Sequence, residues 1–291
     1  MKFPRPKPRY RLSNLTRFVA AILVFLLVVT AVFAVIAKNR DGVADPSSVA
    51  VTPIVMPTKT PSPTPPPIDI PDGKIMEPVL VVIDAGHGGG DGGTISPYKD
   101  EFYEKDITLY MAKKVEEYLK NKGINVILTR EKDDHFSDSN KEDLLARANV
   151  ANDNKASLFV SIHVNAYDLK YKGAAGVNGM EVYYFNKKTT YTDFTEERFA
   201  QIVGDEIVKA NGIKFNGTKS NNFSVLRNTQ MPAILVETAY ITNKEDHARL
   251  ASQDFKDKTA QGIADGIELT LQEIDAFQYD GGMYVFKEVG E

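Results

Sequence analysis

The chain has 291 residues, a net charge of −4, 43% hydrophobic and 25% charged residues, a composition ordinary for one or two globular domains. It contains no cysteine, which excludes a disulfide, a thiolate metal site and a cysteine nucleophile. Without the six basic residues of 1–17 the charge of −4 becomes −10, and so acidic a remainder does not suit nucleic acid.

Residues 1–17, "MKFPRPKPRYRLSNLTR", hold no acidic residue and read as a cytoplasmic tail. Phe18 to Ala37 then runs without a charge. At 1.5 Å per residue such a run spans about 30 Å, the hydrocarbon thickness of a bilayer. The pattern predicts a single-pass membrane anchor over 18–37, with the rest of the chain extracytoplasmic. A cleavable signal peptide ending at Val35-Ile36-Ala37 is the competing reading. The apolar run exceeds the roughly 7–15 residues of a signal core, which favours the anchor. Residues 38–76 are expected to be a linker, because "PTKTPSPTPPP" (Pro57–Pro67) has too little apolar surface to fold.

The catalytic domain is expected over 77–276, with a tail at 277–291 whose apolar alternation suits either an edge strand or a loose end. "VLVVID" (Val79–Asp84) reads as a strand. Ile107, Met111, Val115 and Leu119 recur at four-residue spacing and predict a helix, with Gly123 at its C-terminal end. Strands are expected at Ile124–Thr129, Leu158–Val164, Met180–Phe185, Phe223–Arg227 and Ala233–Ala239. Helices are expected at Glu142–Asp153, Glu196–Gly212 and from about Phe255 to Ile274. Apolar strands alternating with helices predict an α/β domain, its mostly parallel sheet covered on both faces.

In such sheets ligands sit beyond the carboxyl ends of the strands. His87, in "VVIDAGHGGGDGG", lies just past the first strand; His163 and Glu237 lie at the ends of two others. Glu104 opens the helix after the glycine-rich loop. Two histidines, a carboxylate ligand and an open position make a catalytic zinc site, and a second carboxylate can serve as general base. Each residue also has a plainer reading. A histidine at a strand end is commonly a hydrogen-bonded structural residue, and Glu104 suits a helix N-terminus by charge alone. His135 and His247 stand in polar stretches and read as surface residues. The glycine run lacks the G-K-[ST] of a phosphate-binding loop.

In order, "VIDAGHGGGDGG", "EKDITL", "NVILTR", "LLARANVAN", "LFVSIHVNA", "GMEVYYF" and "VLRNTQMPAILVETAYITN" closely resemble the zinc-dependent N-acetylmuramoyl-L-alanine amidases of the amidase_3 family. The resemblance runs from about Pro78 to Glu273. It implies a twisted, mixed sheet of about six strands flanked by helices. It also implies a bacterial hydrolase that cuts peptidoglycan between N-acetylmuramic acid and L-alanine. By motif position it makes His87, Glu104 and His163 the ligands of one Zn²⁺ per chain and Glu237 the catalytic residue. Asp84 and Asn165 belong to the same motifs and would orient ligands or substrate. Arg130 and Arg147 also match, and structural ion pairing is the preferred reading for both. Ala239 and Tyr240 depart from the common pattern without removing a ligand. Only 17 residues separate His163 from Glu181, too few for the inserted helix that covers the zinc in some division-linked relatives, so no obligatory activator is expected. The layout of anchor, spacer and catalytic domain fits a spore-cortex amidase and a general membrane-tethered amidase equally well. A different zinc hydrolase such as a carboxypeptidase, and a non-catalytic peptidoglycan-binding protein, are the other readings.

Overall fold

The computed structural model describes residues 67–187, 190, 191 and 193–288, together with Thr30. The expected cytoplasmic tail, the anchor apart from Thr30, and most of the linker lie outside the described residues. Among the described residues no helix is long and apolar enough to cross a membrane.

The domain starts with β1 (Lys74–Pro78) and β2 (Leu80–Ala85), followed by α1 (Glu104–Asn121) and β3 (Asn125–Leu128). Next come α2 (Asn140–Asp153), β4 (Leu158–Asn165), a short 3₁₀ turn (Ala174–Gly176) and β5 (Met180–Tyr184). The chain continues through α3 (Glu196–Asn211), β6 (Phe215–Ser220), α4 (Ser224–Asn228) and β7 (Ala233–Tyr240). It ends with α5 (Lys244–Ala251), α6 (Gln253–Glu273), β8 (Phe277–Tyr279) and β9 (Gly282–Glu288).

Six strands form one mixed sheet in the order β3-β2-β4-β7-β5-β6. All neighbours in it are parallel except β5 and β7. The apolar runs of β2, β4 and β7 are buried because helices cover both faces. On one side α1, α3 and α6 close a core around Met111, Leu119, Phe199 and Ile263; on the other a smaller core holds Phe159, Leu226 and Leu235. Helix α1 buries the predicted stripe of Ile107, Met111, Val115 and Leu119.

The structure corrects several expectations. Phe223–Arg227 is not a strand: Ser224–Asn228 is a short helix, and the sheet's last strand is Phe215–Ser220. That strand pairs on one side only, so no apolar run marks it in "FNGTKS". The last helix is preceded by a separate one, Lys244–Ala251, broken at Ser252, whose hydroxyl accepts from Phe255 N and starts α6. Of the two readings of the tail, Phe277–Glu288 takes the strand form: β8 and β9 join β1 in a separate three-stranded antiparallel sheet, and the folded structure begins before residue 77.

Candidate functional site

The sheet register builds the site. Three adjacent strands, β4, β7 and β5, place His163, Glu237 and Glu181 in one row, with His163 opposite Glu237 and Glu237 opposite Glu181. The β4–β7 pairing then shifts, so that Asn165 faces Tyr240. Such irregularities re-aim side chains at sheet edges. His87 follows the end of β2, and Glu104 is the first residue of α1.

Glu104 ties these segments together. It is 2% exposed. Its Oε1 accepts from Val164 N at 2.8 Å and faces His163 Nδ1 at 3.0 Å. Its Oε2 accepts from Thr94 N at 2.8 Å and faces His87 Nε2 at 3.2 Å. Burial pushes this carboxylate upward, but the two histidines outweigh it and hold Glu104 far below the usual carboxylate range. Burial likewise opposes charge on His87, yet Glu104 and Asp91 hold it up at about 9. The local field therefore favours positive charge between these three side chains.

His87, Glu104 and His163 each offer a ligand atom within 4.8 Å of the others, so the group can hold a metal ion. Two imidazoles and a carboxylate suit zinc, with room for a fourth ligand. Glycines permit this packing. A Cβ on Gly86 would lie 2.4 Å from the His163 ring. At Gly93, φ is +66° and a Cβ would lie 2.6 Å from Glu104 Oε2.

Backbone fixation comes from two buried arginines. His87 has a left-handed φ of 62°, unusual for a residue with a side chain. Arg147 donates to His87 O and Ala85 O, each at 2.9 Å, and Arg130 donates to Ala85 O at 2.8 Å and Gly86 O at 3.1 Å. Three successive carbonyls around the bend are thus held. Arg147 forms the expected ion pairs, with Asp84 at 2.9 Å and Asp143 at 2.6 Å. Arg130 departs from expectation: among the described residues it meets carbonyls and the Thr108 hydroxyl, and no carboxylate.

Asp84 is fully buried and accepts from Ser161, Thr129 and Arg147. Burial raises its pKa, but these partners, Arg147 foremost, bring it below the ordinary value. It touches neither imidazole and acts on His87 through Arg147. The carboxylate that meets His87 Nδ1, at 2.7 Å, is Asp91, which sequence reasoning missed. Its signal was present, because a metal-binding histidine commonly donates its second nitrogen to a carboxylate and Asp91 is the acid inside the glycine loop. Asn165 donates to Glu181 at 3.3 Å. His135 and His247 are half-buried rather than on the surface: His135 packs over Gly89, and His247 pairs with Ser96 between Tyr98 and Phe102. Neither belongs to the group of His87, Glu104 and His163.

Glu237 stands beside the cluster. Its Oε2 is shielded from solvent and has no hydrogen-bond partner among the described residues. Burial, more than its neighbours, pushes its pKa up to about 7. Two grooves meet at His87, Asp91, His163 and Glu237. One, of about 390 Å³, runs past Leu144, Phe223, Val225 and Leu235; the other, of about 410 Å³, runs past Thr94, Asn165 and Ala166. A long substrate can therefore lie across the metal position with its two halves in different grooves.

Residues 81–269 match the family model Amidase_3, N-acetylmuramoyl-L-alanine amidase. The chain belongs to the Amidase_3 family. It is 37% identical over 196 residues to the N-acetylmuramoyl-L-alanine amidase LytC of Bacillus subtilis, covering 66% of this chain but 36% of LytC. The catalytic domain of CwlV, an N-acetylmuramoyl-L-alanine amidase from Bacillus (Paenibacillus) polymyxa var. colistinus, superposes with a TM-score of 0.58 at 38% identity, covering 67% of this chain and 98% of that domain. The CwlD amidase of Clostridioides difficile, solved in complex with the GerS lipoprotein, superposes with a TM-score of 0.59 at 26% identity, covering 67% of this chain and 99% of CwlD. The Amidase_3 match ends at residue 269, before β8 and β9, and starts after β1.

Proposed function

We propose that this Amidase_3 chain hydrolyses the amide between N-acetylmuramic acid and L-alanine in peptidoglycan, with one zinc ion held by His87, Glu104 and His163. The observation that carries the reading is the buried Glu104 carboxylate clasped between both histidines, with Glu237 beside it at the junction of two grooves. Zinc bound there would supply Lewis-acid chemistry, able to polarise the amide carbonyl and to bring the pKa of water toward about 7. Glu237 is the general base: its Oε2 takes a proton from the attacking water and delivers it to the leaving nitrogen. Its elevated proton affinity, about 7, suits that exchange near neutral pH. Asp91 fixes the ring of His87, while Arg147 and Arg130 fix its backbone.

The site is proposed to work without an obligatory activator. In support, His87 and His163 are half-buried, and both line the grooves. The domain is proposed to stand outside the membrane, tethered by residues 18–37 through the linker. Membrane fractionation of the full chain, against a version lacking 1–37, tests the tether. Release of the full chain into the soluble fraction would remove it.

The full-length, zinc-loaded chain is incubated with intact peptidoglycan, with and without a zinc chelator. Mass spectrometry should find stem peptides with a free L-alanine amino group, and the chelator should abolish them. Zinc-loaded protein that leaves the wall untouched alone, but cuts it with a lipoprotein partner, would overturn the activator statement. Cleavage at any other bond would overturn the amidase reading.

A further inference from the structure

Beyond the metal cluster, one buried acid gathers four donors and is not itself part of the chemistry proposed above. Glu181 is 3% exposed and stands opposite Glu237 across the β5–β7 pairing. Its Oε1 accepts from Lys219 Nζ at 2.5 Å and Tyr240 OH at 2.9 Å. Its Oε2 accepts from Tyr183 OH at 2.6 Å and Asn165 Nδ2 at 3.3 Å. Two like-charged side chains directly opposite one another in a sheet are unfavourable, so this arrangement needs compensation. The four donors supply it for Glu181.

Lys219 differs from the other three donors. Its side chain is 43% exposed, and it stands on β6, an edge strand of the sheet. Among the described residues it donates to Glu181 alone, which leaves further donors free. Two phenols and an amide share the Glu181 charge, so Lys219 is not fully neutralised. It projects beside Tyr183, whose ring contacts Phe223, a residue of the groove that runs past Leu144 and Leu235, at 5.1 Å. Opposite residues in a sheet have side chains about 5 Å apart. An ammonium one ion pair beyond Glu181 is therefore roughly one to two extended residues from Glu237.

That reach selects a ligand. If the amide is cut beside Glu237 and the stem runs across β5 toward β6, the L-alanine lies next to the site and the second stem residue comes within reach of Lys219. In peptidoglycan that residue is a glutamate carrying either a free α-carboxylate or its carboxamide. We propose that Lys219 is a specificity-determining residue that pairs with the free carboxylate of the second stem residue, and that Glu181 is the positioning residue that aims it. The proposal rests on the amidase reading above and adds the substrate form that the site prefers.

The test uses the full-length, zinc-loaded chain and two muramoyl-peptide substrates that differ only in carboxylate against carboxamide at the second residue. The wild type should favour the carboxylate about tenfold in kcat/KM, mostly through KM, as one charge-assisted hydrogen bond allows. Lys219→Met should bring the ratio to about one, whatever the change in turnover common to both substrates; Lys219→Arg should keep most of the preference. Glu181→Gln should weaken the preference through KM. A wild-type ratio near one overturns the proposal whatever the variants do, including any that fail to fold. An equal fall on both substrates in Lys219→Met also overturns it, because that marks a structural role. Failure of the wild type to cut either substrate, with zinc bound, would instead overturn the amidase reading.

Discussion

Gly86→Ala isolates the packing of His163, one of the three proposed metal ligands. Gly86 is not in the left-handed region, so alanine suits its backbone and only the added methyl matters. That methyl would lie 2.4, 2.5 and 2.8 Å from three atoms of the His163 ring. Carbon contacts are comfortable at about 3.5–4.0 Å, so ring and loop must separate by roughly 1 Å. The ring has little freedom to give way. Glu104 holds it at 3.0 Å, and the His87 ring lies 4.9 Å away. Overpacking of this kind costs about 1–3 kcal/mol, and a misplacement of ~1 Å at a reacting centre costs about 10²-fold in rate. The variant should lose about 10²-fold in kcat/KM on a soluble muramoyl peptide and bind zinc more weakly, with a lower melting temperature. Gly90→Ala is the matched control: its nearest neighbour would be His135 at 3.9 Å, and stability should stay within ~0.5 kcal/mol. Normal zinc affinity and turnover in Gly86→Ala would refute the packing argument and the role of His163 with it.

Other substitutions probe separate parts of the machinery. Glu237→Gln should lower kcat by at least about 10²–10⁴-fold while zinc stoichiometry, read by metal analysis after gel filtration, stays at the wild-type level. Glu104→Gln should lower that stoichiometry, since the buried anion between His87 and His163 is lost; unchanged zinc content would count against the ligand set. Arg147→Met leaves Asp84 buried without its ion pair and should cost about 3–5 kcal/mol in denaturant unfolding. Asp84 is held below its ordinary value of 3.8 in the fold. Its contribution is therefore present at neutral pH and lost as pH falls through the folded value. The stability gap between wild type and Asp84→Asn should be constant from pH 5 to 7 and shrink only below about pH 4; a gap that closed already at pH 5 would contradict the assignment.

Much of the site was legible because chemistry-bearing residues interrupt apolar runs at predictable places. His87, His163 and Glu237 stand at or beyond the ends of strands whose length and apolarity are plain in the sequence, and the structure brings the first two onto Glu104. Asp91 escaped notice because its partnership with His87 depends on how a glycine-rich loop bends, and glycine encodes no preference among bends. Strand β6 was illegible because an edge strand needs no apolar alternation. Phe223–Arg227 misled because so short a stretch, apolar only at Phe223, Val225 and Leu226, suits strand and helix alike. His135 and His247 stand among polar neighbours, yet each ring fills a gap created by a distant segment, Gly89 in one case and Ser96 with Phe102 in the other.

The sequence by itself determined the elements with strong periodicity: the stripe of α1, the apolar runs of β2, β4 and β7, and the residue types of the His87, Glu104 and His163 group. These are local properties, written in side-chain order and in the rule that a parallel sheet offers its carboxyl edge to ligands. Tertiary structure alone decided which carboxylate meets which partner. Register across β4, β7 and β5 set Glu181 against Glu237, folding back of residues 277–288 built a second sheet on β1, and two arginines closed over three carbonyls of one loop. Each of these joins residues far apart in the chain, and what selects them is the burial of charge and backbone polar groups, which no single segment can satisfy alone.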